Sequence, residues 1–571
     1  MAAEAPGVPI TPANRLWTGE RLLVALVLAY VLFTTFWPLA RLFSAGLQSG
    51  EDGAFLGVMR ETLANRATGR ALWNSLITSG LSALISAVLG VALALALSLL
   101  RLRTQAVLVF LILTPLIVPS QTMALAWIEL FGSGSPVLGP LGLAPAPGTA
   151  NPLYSAGGIA LVMGVEHMPL VFIATRAALR SVPADLVEAA RILGIPNRRI
   201  GTGIILPIAL PSVLAGSLLA FTAAIGNFGV PALLGIPGRV SVLTTLIYQR
   251  LNGFGASAAG QVAVLAILMT AIAAAALVLR HVTMRRLSAP LPAGKPFEAT
   301  RRAPVIEVLI WALVLLIAIA PLLALTMTAL LPAIGVRFGL DTVSLAQFAR
   351  VLGNDAVRRA FVNSLFLAGL CALISMVVSV PLAYLVVRRP NWLVRAIDVL
   401  VEAPWVVPGT VVALAMILAF LKPLPLIGVS LYGTMAILVV AYLARFLPLV
   451  LRPVTAAAQT ADPALDEAGR IVGAGLWRRL AWIFLPHVLP AAIAGAILVL
   501  MTALNELTLS ALLWSSGNET IGVMVFALQY EGNSTAAAAV AMLSAVMVFA
   551  ICGLASACAR WLPDNVLPWR R

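Results

Sequence analysis

Residues 182–207 read VPADLVEAARILGIPNRRIGTGIILP, and residues 461–486 read ADPALDEAGRIVGAGLWRRLAWIFLP. Glu188, Ala189, Gly194, Ile204, Leu206 and Pro207 recur as Glu467, Ala468, Gly473, Ile483, Leu485 and Pro486, each 279 positions later. A spacing held over that distance marks an internal duplication, which is the first thing to establish in a long chain. The register extends outward. Asn74-Ser75-Leu76 answers Asn363-Ser364-Leu365, and Pro115 and Pro119 answer Pro404 and Pro408, all at an offset of 289. A connection ten residues shorter in the second copy then brings the offset to 279, where Pro169-Leu170-Val171 matches Pro448-Leu449-Val450.

The surroundings of these repeats are apolar. Of 571 residues, 61% are hydrophobic and 10% charged, and the mean hydropathy is +1.02, outside the range of a water-soluble domain. A membrane-spanning helix needs about 20 mostly apolar residues. Twelve such runs are expected, at 21–43, 72–99, 105–131, 156–178, 204–225 and 258–280, then 305–331, 362–387, 393–420, 431–451, 480–504 and 536–558. The predicted fold is therefore all-α, a polytopic membrane protein with two homologous six-helix halves. The formal charge of +15 comes from Arg and Lys at alternate ends of the runs, so it follows the positive-inside pattern and not a nucleic-acid surface. Both termini are expected on the cytoplasmic side, with Arg239, Arg250 and Lys422 as exceptions to the charge bias. The first run is long, lacks a cleavage site and reads as a retained helix. Cys371, Cys552 and Cys558 lie in or beside apolar runs without CxxC spacing, as small hydrophobes do.

Six spans separate equivalent positions, so the two copies run in the same direction. Parallel repeats of this kind are related by an axis along the membrane normal and enclose a pathway between them. The expected organisation is a cytoplasmic N-terminus over 1–20, a first half over 21–280 with its core from about 72, a polar, Pro-rich cytoplasmic linker over 281–304, and a second half over 305–571 with its core from about 361. Gly294-Lys295 is followed by Pro296 where a phosphate loop requires Ser or Thr, and no clustered catalytic constellation is found. The expectation is a moving part and not an enzyme.

The duplicated loops, 181–203 and 460–480, each predict a short helix with start and stop signals. Asp462 can cap a helix beginning at Pro463, while Asp185 and Glu188 have capping-box-like spacing. Gly194 and Gly473 suit the left-handed residue beyond a helix end. Leu186, Ala189, Ala190 and Leu193 fall on one stripe, repeated by Leu465, Ala468, Gly469 and Val472. Glu188 with Arg191, and Glu467 with Arg470, are possible i,i+3 pairs. A helix of two to three turns is unstable alone in water, so the stripe must lie against the membrane surface or a partner groove. Two copies in one register suit a partner that presents two identical grooves.

The spacing Glu-Ala-Ala, three residues, Gly, nine residues, Ile, one residue, Leu-Pro resembles the signature of permease subunits of type I binding-protein-dependent ABC importers. Gly469 departs from it by replacing the third small residue in the second copy. The resemblance covers about 72–280 and 361–558. It implies that Glu188, Ala189, Ala190, Gly194, Glu467, Ala468, Gly469 and Gly473 contact two copies of a nucleotide-binding ATPase subunit, which uses the ATP and Mg while the permease binds no cofactor itself. It also implies a periplasmic or extracellular substrate-binding protein, a bacterial inner-membrane location and the lipid bilayer as surroundings, with no nucleic-acid partner.

Ionisable groups inside spans are costly and mark pathways. Glu129, Glu166, His167, Asp398, Glu402, Arg445 and Glu506 are such groups, and Asn227 is the equivalent of Glu506. Glu166 and Arg445 are also equivalent, which leaves two readings open: pairing across the axis, or bonding within each half. Candidate pathway residues are Glu129, Glu166, Asn227, Glu402, Arg445 and Glu506, with no metal site firmly assigned. The stretch GNFGVPALLG is similar to one in fused ferric-iron permeases, and Asn227 departs there from an acidic residue. Hard ferric iron favours oxygen ligands such as Glu129, Glu402 and Glu506. Thiamine, another organic cation or a phosphonate are the alternative cargoes, and an ion-coupled secondary transporter is the alternative class.

Overall fold

The computed structural model describes residues 13–49, 53–253, 258–287, 303–333, 335–424 and 428–558. Most of the expected linker and the extreme termini, including residues 1–12, 288–302 and 559–571, lie outside the described residues. The principal helices of the first half are α1 (Gly19–Gly46), α2 (Arg66–Leu99), α3 (Gln105–Ile117), α4 (Ser120–Phe131), α5 (Ala156–Arg180), α6 (Ala184–Ile192), α7 (Gly201–Gly226), α8 (Leu243–Leu251) and α9 (Ala258–Leu287). The second half repeats them as α10 (Pro304–Ala329), α11 (Asp355–Arg388), α12 (Trp392–Val406), α13 (Gly409–Phe420), α14 (Met435–Thr460), α15 (Pro463–Ile471), α16 (Leu476–Leu504), α17 (Ile521–Tyr530) and α18 (Ser534–Leu554). Each helix thus has its equivalent nine labels later.

Ten of these helices are long and apolar enough to cross a membrane. The two remaining expected spans, 105–131 and 393–420, are not straight. Each is a pair of short helices, α3 with α4 and α12 with α13, bent by 103° and 112°. The cause is local. A residue before proline is driven from the helical region, and Val118 and Val407, preceding Pro119 and Pro408, are both extended with ψ of 137°. The count reaches twelve when each bent pair is taken as one span.

The ends of the two halves are exchanged. α1 and α9 pack against α13 of the second half, while α10 and α18 pack against α4 of the first. Tyr30 on α1 donates to the Leu443 carbonyl at 3.0 Å, and Thr328 on α10 donates to Glu129 on α4 at 3.0 Å. The buried clusters cross the boundary accordingly: Leu23, Val27 and Leu42 share one with Val411, Leu414 and Phe420. Within the first half, α2 and α5 approach through Gly90 and Gly164. A Cβ on Gly164 would lie 2.7 Å from Ile85, and the Ser86 hydroxyl donates to the Gly164 carbonyl at 2.8 Å. Small residues allow such close contact where lipid offers no hydrophobic drive for association.

The Asn-Ser-Leu repeat now has a structural meaning. Asn74 donates to the Ser241 carbonyl at 2.9 Å, and Ser75 accepts the Leu243 N–H at 2.8 Å. Asn363 donates to the Glu519 carbonyl at 3.0 Å, and Ser364 accepts the Ile521 N–H at 2.9 Å. The two pairs pin the first turns of α8 and α17, whose N–H groups have no partner within the helix.

Candidate functional site

α6 and α15 lie at one end of the molecule. Asp462 caps α15 as expected, accepting from the Ala464 N–H at 2.9 Å. α6 differs: it begins at Ala184 behind an extended Pro183, and no side chain caps it. Asp185 therefore sits in the first turn, where its charge faces the positive helix end, and the capping box does not form. Both helices stop identically. Gly194 and Gly473 have φ of 74° and 76°, a region that glycine occupies without a Cβ clash. The Ile195 N–H bonds the Ala190 carbonyl at 3.0 Å and the Ala474 N–H bonds the Gly469 carbonyl at 2.9 Å, the closing bonds of a Schellman end. Downstream, Pro207 and Pro486 follow a single wide turn in which Leu206 bonds back to Gly201 and Leu485 to Leu480.

The expected stripe is divided. Val187 and Ala190 face the protein body, whereas Leu186, Glu188, Ala189, Leu193 and Gly194 are exposed. In the second copy Asp466 and Gly469 face the body, and Leu465, Glu467, Ala468 and Val472 are exposed. The helix seats itself with two residues three apart, which leaves its other apolar side uncovered. Ile192 and Leu193 are 87% and 78% exposed, and their equivalents Ile471 and Val472 are 84% and 74% exposed. The Glu188–Arg191 and Glu467–Arg470 pairs do not form among the described residues. Arg470 turns to Asp466 at 2.7 Å instead.

The seats are chemically opposite. The first half uses Val187 and Ile200, two buried members of one apolar cluster against which Leu95 also packs. The equivalents in the second half are Asp466, Arg479 and Tyr384. Arg479 is 1% exposed and pairs with Asp466 at 2.7 Å, while the Tyr384 hydroxyl reaches the same carboxylate at 3.3 Å. Glu20 of α1 lies 3.0 Å from Arg389 and 3.8 Å from Arg479, extending the network to the first half. This explains Gly469: a Cβ there would stand 3.2 Å from the Arg479 stem and 2.8 Å from Ile483.

Inside the membrane region, the sequence equivalence of Glu166 and Arg445 does not become a contact pair. Glu166 accepts from Ser120 at 3.1 Å and from Asn227 at 3.2 Å, and Asn227 also donates to Ser120 at 3.0 Å. Arg445 donates to the carbonyls of Pro404 and Val407 at 3.1 and 2.9 Å, the groups released where α12 breaks. Each bonds within its own half. Gly409 replaces Ser120, and the Arg445 guanidinium carbon would be 3.4 Å from a Cβ added there, so guanidinium fills the space that the serine hydroxyl occupies in the first copy. Asn227 and Glu506 remain true equivalents: Asn227 accepts the Val230 N–H at 3.1 Å and Glu506 accepts the Leu509 N–H at 2.8 Å.

The other carboxylates stand apart. Glu129 is tied to Thr328 between α4 and α10, and Glu402 pairs with Arg452 at 2.8 Å. Thus Glu129, Glu402 and Glu506 are not gathered as oxygen ligands, and no group of three metal-ligating side chains occurs among the described residues. Sequence reasoning missed Ser120 and Asn505. Asn505 donates to the Ile117 carbonyl of the opposite half at 3.4 Å, and its equivalent Gly226 abuts Pro408. The register that paired the loops was the signal available for both.

Comparison with known proteins places this architecture. The chain is 27% identical over 519 residues to a probable ABC transporter permease protein, y4fN, of Sinorhizobium fredii, covering 89% of this chain and 90% of that one. It is 25% identical to the putative ferric transport system permease protein FbpB 1 of Haemophilus influenzae, over 87% and 78% of the two chains. A putative 2-aminoethylphosphonate transport system permease protein, PhnU, of Salmonella typhimurium is 26% identical over 44% of this chain and 85% of that one. Among solved structures, a chain of the bacterial alginate ABC transporter in complex with alginate pentasaccharide-bound periplasmic protein aligns over 45% of this chain and 93% of its own, with 21% identity and a TM-score of 0.37. The family model described as binding-protein-dependent transport system inner membrane component matches residues 86–288 and again residues 375–566. With one copy in each half, the chain belongs to the family of binding-protein-dependent transport system inner membrane components.

Proposed function

We propose that this permease forms the translocation pathway of an ATP-driven importer, with two ATPase subunits docked on α6 and α15 at the cytoplasmic face and both termini on that side. The observation that carries this reading is the matched exposure of Ile192 and Leu193 in one loop and Ile471 and Val472 in the other. Burying one such side chain contributes about 1.5–3 kcal/mol, and equal patches on equivalent helices call for two copies of one partner. When ATP draws the two subunits together, the docked helices follow and the halves tilt about the pathway, the rigid-body mode of such switches. The permease contributes the path and its partner the hydrolysis.

Ferric iron is the proposed cargo. The ferric relatives along most of the chain support it. Phosphonate import by the same mechanism is the second reading, favoured by the phosphonate permeases matching one half. The test is a reconstituted complex in which either cargo, on its binding protein, is offered for stimulation of ATP hydrolysis. Stimulation of several-fold by the ferric form alone is expected; stimulation by the phosphonate form alone overturns the iron assignment. In the same system Glu188→Arg with Glu467→Arg should lower stimulated hydrolysis at least tenfold while the protein remains inserted. Unchanged hydrolysis refutes the docking surface.

A further inference from the structure

α8 and α17 contain 9 and 10 residues, about half the length needed to cross a bilayer. They are separated from α6 and α15 by α7 and α16, so they occupy the opposite end of the molecule. The 26 residues of α7 alone span about 39 Å at 1.5 Å per residue. The Asn-Ser pins hold both short helices in matching positions, and from Leu243 and Ile521 onward equivalent residues are 278 apart.

Tyr248 and Phe526 are equivalent by that count, and they touch. Their ring centroids are 5.9 Å apart, edge to face at 89°, a favoured aromatic geometry. A residue meets its own equivalent only where a twofold axis passes, and in parallel-repeat transporters the pathway follows that axis. Phe228 packs on both rings at 5.3 and 6.0 Å. It is the residue next to Asn227, whose carbonyl accepts from Thr244 of α8 at 3.1 Å. The aromatic contact is thus joined by main chain and hydrogen bond to the polar residues lining the breaks.

We propose that Tyr248 and Phe526 are the seal that closes the outward end of the pathway, and that the rings part when the halves tilt to open that end. An apolar constriction of this kind closes a pore by excluding water as well as by bulk. The inference rests on the importer reading and adds the closing residues to it. The pins make each ring a rigid extension of its own half, so tilting separates them as a pair.

The test uses the complete chain with its ATPase partner in proteoliposomes, with Cys371, Cys552 and Cys558 replaced by Ala. Tyr248→Cys with Phe526→Cys is bridged by a short, reducible bis-methanethiosulfonate, and ATP hydrolysis is measured without any cargo. Bridging is expected to reduce hydrolysis at least tenfold, with recovery on reduction, because the nucleotide-closed state needs the outward end open. Full hydrolysis with the bridge in place overturns the seal. As a fold control, Tyr248→Phe with Phe526→Tyr moves the hydroxyl to the other half. Hydrolysis within twofold of native is expected, and a tenfold loss overturns a seal made of ring bulk. If the unbridged native complex recovers no hydrolysing partner, the importer reading itself fails; normal hydrolysis with an ineffective bridge rejects the seal alone.

Discussion

Replacing Asp466 by Val, the residue at the equivalent position in the first half, should release α15 from its seat. The carboxylate accepts from Arg479 and Arg470, each at 2.7 Å, and from Tyr384 at 3.3 Å. Its loss leaves the buried Arg479 guanidinium with Tyr384 at 3.2 Å and Glu20 at 3.8 Å. Removing one partner of a buried pair costs about 3–5 kcal/mol, chiefly because the other charge stays buried. α15 is a nine-residue helix with little stability of its own, so this cost should appear as local opening. Hydrogen exchange of residues 463–473 in nanodiscs is the assay, and protection should fall roughly 100-fold or more, since 1.4 kcal/mol is tenfold. Asp466→Val with Arg479→Ile installs the pair that the first half uses, Val187 and Ile200. An apolar pair of fitting shape is often as stable as a buried ion pair, so the double variant should regain most of the protection. Equal protection in native and Asp466→Val would refute the reasoning, as would a double variant showing the sum of both single losses, because the two residues would then not be coupled.

Gly469→Ala should itself loosen α15, since the added methyl meets Ile483 and Arg479; overpacking costs about 1–3 kcal/mol, read as at least a fivefold faster exchange of the same residues. Asn74→Ala with Asn363→Ala should speed exchange in the first turns of α8 and α17 by about two- to tenfold, from about 0.5–1.5 kcal/mol per lost hydrogen bond. Arg445→Leu leaves the Pro404 and Val407 carbonyls without their donor, at about 1–3 kcal/mol for each group left unsatisfied. A lower unfolding temperature in detergent is expected for Arg445→Leu, with partial recovery in Arg445→Lys.

The parts of the fold that were legible before the structure are those written in spacing. The duplication, the apolar runs, the left-handed glycines and the Asp462 cap all depend on residues near one another in sequence, and each recurs in register. The bends at Pro119 and Pro408 were masked because the runs 105–131 and 393–420 are each long enough to cross a bilayer as one helix, so that length and composition favour a single straight span even where the prolines are matched. Exchange of α1 and α10 between halves leaves no periodic trace, since lipid-facing and protein-facing apolar residues look alike in composition. The stripe on α6 was legible in part: helical spacing places Leu186, Ala189 and Leu193 together, and all three are exposed, but it does not say that Ala190 turns with Val187 toward the body. Glu166 and Arg445 were seen as equivalent, yet Glu166 bonds Ser120 and Asn227 while Arg445 bonds two main-chain carbonyls, which no charge pattern reveals. Tyr248 and Phe526 escaped because their helices are too short to register as spans and their offset slips from 279 to 278.

The two-partner docking surface is tested most directly by native mass spectrometry of the complex released from nanodiscs. Two ATPase subunits per permease chain are expected, falling to one in Ile471→Asp with Val472→Asp and to none when Ile192→Asp with Leu193→Asp is added. Undiminished occupancy in the fourfold variant, or a native complex holding a single ATPase subunit, would contradict it.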